Sequence, residues 1–325
     1  MDLSIIFVNW NSLDYLRECI PSIHEYTRCI EYEIIVVDNA SPEKNVVFLT
    51  RDFPEVKLIE SSRNLGFAGA NNLGVRHSSG RYLLFLNPDT KLVSSAINIM
   101  VDRLSTLPDA GIVGCKLLNG DLSIQTSSIQ KFPTIVNQVL DVEFLRNRWP
   151  SARLWDISPL FSDSGKAVKV EVISGACMLM KRDIFEKVGG FSEDYFMYAE
   201  DLDLCYKVRQ ARYSNYYIGQ GTIVHYGGRS STPKWAIVMK WRSILRFFVK
   251  TRGYLYALAF RIVMSLAALT RLLVIGGLSL LGKMATDNGS TSGPSQKWRA
   301  ILKTLLTESG TASSLATSQN ATSLQ

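Results

Sequence analysis

The chain has 325 residues, 46% apolar and 20% charged; that excludes a fibrous chain and leads us to expect one catalytic α/β domain with appendages. Its net charge of +7 is regional: from Arg229 onward there are 13 basic and 2 acidic residues, against 23 and 27 before that point, and the excess lies beside apolar stretches, pointing to anionic lipid and not to nucleic acid. The five cysteines are scattered and form no C-x-x-C pair, which excludes a disulfide framework or zinc site and fits a reducing compartment.

Met1-Asp2-Leu3-Ser4 carries no basic region, and Asn9, Asn11 and Asp14 soon interrupt the apolar run, so no secretory signal is expected. Leu3 to Val8 and Glu33 to Val37 are short β-branched runs that read as buried parallel strands. Between them Asp14 to Tyr26 places Leu16, Ile20 and Ile23 on one helical face, and the succession is a βαβ unit. Val56 to Ile59 and Tyr82 to Leu86 continue the series. Asn64 to Val75 reads as a glycine-bearing loop entering a helix, whose backbone can approach a ligand closely. From Ser123 to Lys169 regularity is lost among Pro133, Pro150, Trp155 and Pro159, and a mobile acceptor-side loop is expected. Val170 to Ile173, Ser174-Gly175-Ala176 and the apolar run Cys177 to Met180 follow.

Further on, Val238, Trp241, Leu245, Phe248 and Val249 share one helical arc, with Lys240, Arg242, Arg246 and Lys250 on the other, a pattern suited to a membrane surface. Ile262 to Gly282 is apolar for about the length of a bilayer crossing, yet contains Arg271, and a mid-span arginine costs about 2.5–3.5 kcal/mol. An interfacial or shallow hairpin segment is therefore favoured over a span. The expected layout is a catalytic domain over 1–228, a basic amphipathic and apolar helical region over 229–282, and a disordered tail over 283–325 with room for a short helix from Trp298 to Leu306.

Four polar positions carry chemistry. Asp38 ends a strand, where open α/β sheets bind ligands, and its carboxylate can accept hydrogen bonds from a base or ribose; an Asx turn or helix N-cap would also place it there. Asn87-Pro88-Asp89 ends the most apolar strand. Asp89 is a natural carboxylate for Mg²⁺ or Mn²⁺ shared with a substrate diphosphate, with a plain Pro-Asp turn as the other reading. Glu200, Asp201 and Asp203 compress three carboxylates into four positions at a helix start, where repulsion and burial should raise at least one pKa, as a general base requires; the helix dipole alone also favours acids there. His225 follows a strand-like Thr222 to Val224 and could complete a metal shell or touch diphosphate, although a lone histidine also serves as a packing or capping group.

In order and spacing, the segments Ile5 to Asn11, Val36 to Ser41, Asn64 to Gly74, Leu86 to Asp89, Ser174 to Leu179 and Glu200 to Cys205 resemble the family 2 inverting glycosyltransferases and their bacterial rhamnosyltransferase-like branch. The similarity covers roughly Leu3 to Lys250. It implies an α/β fold of GT-A type, a mostly parallel sheet flanked by helices, and a nucleotide-diphosphate sugar donor with a divalent metal at the D-x-D position. Here that position reads Asn87-Pro88-Asp89, an amide replacing the first acid. By the resemblance Asp201 is the catalytic base with Glu200 and Asp203 in support; Asn9, Asp38, Arg63, Asn64, Gly66, Asn71 and Asn87 bind the nucleotide sugar; and Asp89 and His225 hold Mg²⁺ or Mn²⁺. The branch further implies transfer of L-rhamnose from dTDP-rhamnose to a lipid-linked or polysaccharide acceptor, at the cytoplasmic face of a bacterial inner membrane.

Two other readings stay open. A sugar-nucleotide nucleotidyltransferase would want a glycine-rich basic loop near the N-terminus, and Asn9-Trp10-Asn11-Ser12 is not one. A non-catalytic, membrane-bound sugar-binding scaffold would have no use for the acidic triplet.

Overall fold

The computed structural model describes residues 1–43, 45–141, 143–162, 165–227, 233–280 and 293–307. It divides into two units. One takes residues 1–132, 146–196 and 200–230, the other 133–145, 197–199 and 231 onward, in both cases counting described residues only.

The first unit opens with β1 (Leu3–Asn9), α1 (Leu13–Tyr26), β2 (Tyr32–Asp38), α2 (Val47–Asp52), β3 (Lys57–Glu60), α3 (Gly66–Arg76) and β4 (Tyr82–Leu86). The four strands lie parallel in the order β3-β2-β1-β4, in keeping with the parallel strands expected of the βαβ series. On α1, Leu16, Ile20 and Ile23 are buried, so the helical spacing found the packed face. β5 (Thr90–Leu92), α4 (Ala96–Thr106) and β6 (Ala110–Leu118) follow, then the two-residue β7 (Ile129–Gln130).

The stretch expected to be irregular contains local order. α5 (Ile135–Leu140) starts with a reciprocal capping box between Thr134 and Asn137, followed by α6 (Glu143–Arg148). β8 (Ala167–Val170) and β9 (Val172–Ile173) come next, then β10 (Cys177–Lys181), α7 (Arg182–Lys187), α8 (Glu200–Gln210) and β11 (Ser214–His225).

The main sheet has nine strands in the order β3-β2-β1-β4-β10-β6-β11-β5, with β8 also against β11. β10 is antiparallel to both β4 and β6, so the sheet is mixed and mostly parallel. β11 runs twelve residues and changes register between Ile218 and Thr222, pairing β8 through its first half and β5 through its second. The break falls at Gly219-Gln220-Gly221, where a bulge re-aims the strand. It delivers His225 to the end of the sheet where β4 also ends.

The second unit contains α5, α9 (Pro233–Arg252), α10 (Tyr254–Leu280) and α11 (Pro294–Thr307). Trp241, Leu245 and Phe248, on the apolar arc of α9, are buried: Trp241 stacks on Phe260 of α10, and Phe248 meets Phe260 and Tyr256 edge-on. That arc is therefore taken up within the protein. The apolar surface left open lies on α10, where Leu255, Leu258, Ile262, Leu266, Leu269 and Leu273 are exposed at helical spacing along one face. α10 is one continuous helix with Gly276 and Gly277 inside it, so no hairpin forms before Leu280. The expected boundary at 228–229 and the tail segments 283–292 and 308–325 lie outside the described residues, while α11 takes in the stretch Trp298 to Leu306.

Candidate active site

The strand ends are tied to one another by side chains. Asp38 is buried; its Oδ1 accepts from Asn9 Nδ2 at 2.7 Å and from the Ser41 hydroxyl at 2.6 Å, while Ser41 N–H donates to Oδ2 at 3.2 Å. The backbone bond reaches three residues on, one beyond the span of an Asx turn. Because a carboxylate has about four acceptor sites, it can still take a further donor.

Asn39 accepts from Leu65 N–H at 2.7 Å and donates to Asn64 Oδ1 at 2.9 Å, and Asn64 accepts from Gly66 N–H at 2.9 Å. Gly66 has φ +71°, and a Cβ there would stand 2.3 Å from the Phe196 carbonyl oxygen, so no other residue fits without moving the backbone. These bonds fix the Asn64-Leu65-Gly66 turn beside Asp38. Arg63 next to it is exposed. Asn71 is buried on α3 and spends its side-chain N–H on Phe67 O, within its own helix.

Asn87, Asp89 and His225 come together. His225 Nε2 stands 3.3 Å from Asp89 Oδ1 and 3.3 Å from Asn87 Nδ2, and Tyr226 N–H donates to Asp89 O at 2.9 Å, closing β5 and β11 around them. Among the described residues no group of three or more His, Cys, Asp or Glu side chains forms a metal cage. The pair Asp89 and His225 nevertheless fits a divalent ion. Two ligands on neighbouring octahedral vertices with bonds of 2.0–2.1 Å stand about 3 Å apart, and Mg²⁺ ordinarily completes its shell with phosphate and water.

The acidic triplet separates by environment. Successive helical residues project about 100° apart, so the three cannot share a direction. Asp203 is buried, accepting from the Ser192 hydroxyl at 2.5 Å and Tyr195 OH at 3.4 Å, with Lys207 Nζ at 3.7 Å; its role is to anchor the preceding loop. Glu200 is also buried, and among the described residues its Oε2 has no hydrogen-bond partner. Burial first, and the Asp201 carboxylate second, push its carboxyl well above the usual carboxylate range. Asp201 is half-buried, and its Oδ2 accepts from Gly175 N–H at 3.0 Å. Before the helix, Tyr198 and Ala199 have φ of +68° and +64°, a left-handed pair that sets how α8 begins.

Ser174-Gly175-Ala176 connects the two halves of the site. Gly175 N–H holds the Asp201 carboxylate, and the next residue's carbonyl, Ala176 O, accepts from Asn87 N–H at 3.0 Å. Backbone groups of two adjacent residues thus anchor the acid of α8 and the end of β4.

The upward shift of the buried Glu200 carboxyl has a measurable consequence. Its folded-state pKa lies above the unfolded value of about 4.3, so its contribution is complete below that value and is lost as pH rises through the folded pKa, at up to about 1.4 kcal/mol per pH unit. Glu200→Gln is therefore expected to gain stability relative to the natural protein as pH rises from 5 to 9, read as urea midpoints. A difference constant across that range contradicts burial of the neutral acid.

Sequence reading missed Gln125, which accepts from His225 Nδ1 at 2.8 Å. The cue was the turn Asn119-Gly120-Asp121 ahead of Ile124, which bridges back to Leu118.

The N-acetylglucosaminyl-diphospho-decaprenol L-rhamnosyltransferase of Mycobacterium tuberculosis is 26% identical over 245 residues, covering 70% of this chain and 77% of its own length. The rhamnosyltransferase WbbL of Escherichia coli is 24% identical over 259 residues, 76% of this chain and 93% of its own. Among solved structures, the mannosyltransferase PcManGT of Pyrobaculum calidifontis, in complex with GDP-Man and Mn²⁺, aligns with TM-score 0.58 at 17% identity, over 98% of this chain and 86% of that one, which places the fold in the GT-A type. Residues 4–189, more than half of the sequence, match the family described as "Glycosyl transferase family 2", and with the sheet and its polar strand ends in view the chain belongs to that family, as a glycosyltransferase of GT-A type.

Proposed function

We propose that this glycosyltransferase moves a sugar, with inversion, from a nucleotide diphosphate to a hydroxyl of a lipid-linked glycan at the cytoplasmic face of a bacterial inner membrane. The observation that carries the reading is the Ser174-Gly175-Ala176 bridge, which holds Asp201 and the Asn87-Pro88-Asp89 end of β4 by backbone groups of neighbouring residues. Asp38, Asn9 and the Asn64-Leu65-Gly66 turn supply the rigid floor on which a nucleoside rests, with Arg63 exposed beside it for a diphosphate. Asp89 and His225 would hold Mg²⁺ or Mn²⁺, which, when bound, offsets the charge of the departing diphosphate. Asp201 takes the acceptor hydroxyl proton as the new C–O bond forms at the anomeric carbon and the bond to nucleotide diphosphate breaks on the opposite face. Asp201 suits the role because its carboxylate is oriented and half-exposed, while Glu200 and Asp203 are buried around it.

L-Rhamnose from dTDP-rhamnose is the proposed donor, supported by the two rhamnosyltransferase relatives. The test is nucleotide release from a panel of dTDP-, UDP- and GDP-sugars with a polyprenyl-diphosphate-linked acceptor. Release from dTDP-L-rhamnose that depends on acceptor supports the reading, and release from none of the panel refutes it.

The second unit fits a helix lying in the membrane plane. Arg271 does not stand alone in an apolar run: its Nη2 donates to Val139 O at 2.5 Å and its guanidinium lies 4.2 Å from the Trp298 ring centroid, while Arg261 Nε donates to Leu305 O at 2.9 Å. On α11, which packs along α10, Lys297, Arg299 and Lys303 are exposed, and crossing would carry such charges into hydrocarbon. The leucine face of α10 then embeds while the basic residues meet anionic headgroups, each contributing about 1 kcal/mol. Leu266→Glu with Leu273→Glu, both at exposed positions, is expected to lower partition into anionic vesicles by about a hundredfold or more, since embedding each leucine contributes about 1.5–3 kcal/mol. Sedimentation with vesicles decides it, and equal binding by the variant contradicts the in-plane assignment.

A further inference from the structure

We infer that Gln125, in the turn after β6, is a positioning residue that fixes the ring orientation and tautomer of His225, so that its Nε2 lone pair faces Asp89 and the diphosphate subsite. The inference rests on the proposed metal role of Asp89 and His225 and extends it to a residue outside all the motifs read from the sequence.

On the Nδ1 side of the ring the hydrogen bonds form a chain with one polarity. Asp121, a carboxylate, accepts from the Ser123 hydroxyl at 2.6 Å. Ser123 Oγ, its proton thus committed, accepts from Asn119 Nδ2 at 2.8 Å. That turns Asn119 Oδ1 towards Gln125, whose Nε2 donates to it at 3.0 Å and to the His225 carbonyl at 3.3 Å. Gln125 Oε1 is then the atom left for the imidazole, 2.8 Å from Nδ1, and an amide oxygen can only accept. Nδ1 therefore carries the proton and Nε2 the lone pair. From the other side Asn87 Nδ2, a donor, stands 3.3 Å from Nε2 and suits the same tautomer, whereas Asp89 Oδ1 at 3.3 Å, an acceptor, competes by drawing a proton to Nε2, and the Gln125 bond is what opposes it.

Gln125 is itself held in place. Its N–H donates to Leu117 O at 2.9 Å, and its carbonyl accepts from the Ser128 hydroxyl at 2.6 Å and Ser128 N–H at 3.0 Å. The turn beyond β6 is thus fixed beside His225, at the start of the stretch read as an acceptor-side loop. Outer partners of this kind hold a ligating imidazole in the metal-binding tautomer, and their loss typically costs about 10–100-fold in metal affinity.

The test uses the full-length protein with ¹⁵N-labelled histidine at pH 8, without metal. The chain has three histidines, His24, His77 and His225, and His225→Ala assigns the signals of the third. The natural protein is expected to show His225 as the Nδ1–H tautomer. Gln125→Glu keeps an acceptor oxygen and is expected to retain it, whereas Gln125→Met removes the acceptor and should release the ring to the mixture of tautomers seen in solution. Mn²⁺ titration followed by electron paramagnetic resonance should then show binding about 10–100-fold weaker in Gln125→Met and near-natural binding in Gln125→Glu. An Nε2–H tautomer in the natural protein, or an unchanged tautomer and Mn²⁺ affinity in Gln125→Met, overturns the inference. Failure of the natural protein to bind Mn²⁺ refutes the metal reading beneath it, while the metal-free tautomer signal still decides what Gln125 does to the ring.

Discussion

Asp201→Asn is expected to lower kcat by about 10²–10⁴-fold while leaving affinity for the nucleotide-sugar donor nearly unchanged. The asparagine oxygen can keep the bond from Gly175 N–H, so the end of α8 and the Ser174-Gly175-Ala176 bridge should keep their geometry. What is lost is the proton acceptor. Glu200 cannot substitute, since it is buried and its carboxyl is raised towards the neutral form, and Asp203 is committed to Ser192 and Tyr195. Steady-state rates with saturating donor, alongside a binding isotherm for the nucleotide diphosphate, separate the two effects. Turnover within a few-fold of the natural enzyme would remove Asp201 from the chemistry.

Asp89→Ala is expected to weaken Mn²⁺ and nucleotide-diphosphate binding together, by about 100-fold or more, because it removes the charged member of a two-residue site. Asn87 already stands where a second acid would be, so no neighbouring carboxylate compensates. The nucleotide alone, titrated with EDTA present, should bind the variant and the natural protein alike. Calorimetry with and without Mn²⁺ checks this, and an affinity unchanged in both conditions would show that Asp89 holds no metal.

Much of the first unit was legible because burial writes itself into the chain locally. β1 and β2 are β-branched runs closed by Asn9 and Asp38, and α1 carries Leu16, Ile20 and Ile23 at helical spacing. β10 was visible as an apolar run, but its antiparallel place between β4 and β6 was not, since strand direction is decided by distant partners and leaves no mark on local periodicity. For β11, Thr222 to Val224 could be read, whereas the Gly219-Gln220-Gly221 bulge hid the preceding half.

The site shows the same division. Its acids stand out by type and spacing, yet which of Glu200, Asp201 and Asp203 remains available depends on Ser192 and Tyr195 in the preceding loop and on Gly175, contacts that no helix or strand period encodes. Gln125 reaches His225 across 100 residues of sequence, so no local pattern could have joined them. The α9 arc was correctly apolar, but periodicity cannot say whether such a face meets lipid or protein, and here Phe260 and Tyr256 cover it.

The central claim, direct displacement assisted by one carboxylate, is tested most directly by the anomeric configuration of the first product formed, read by proton NMR before mutarotation or further reaction. A sugar transferred with configuration opposite to that in the donor is the expected result. Retention of configuration, or a sugar found covalently attached to the protein, would contradict it.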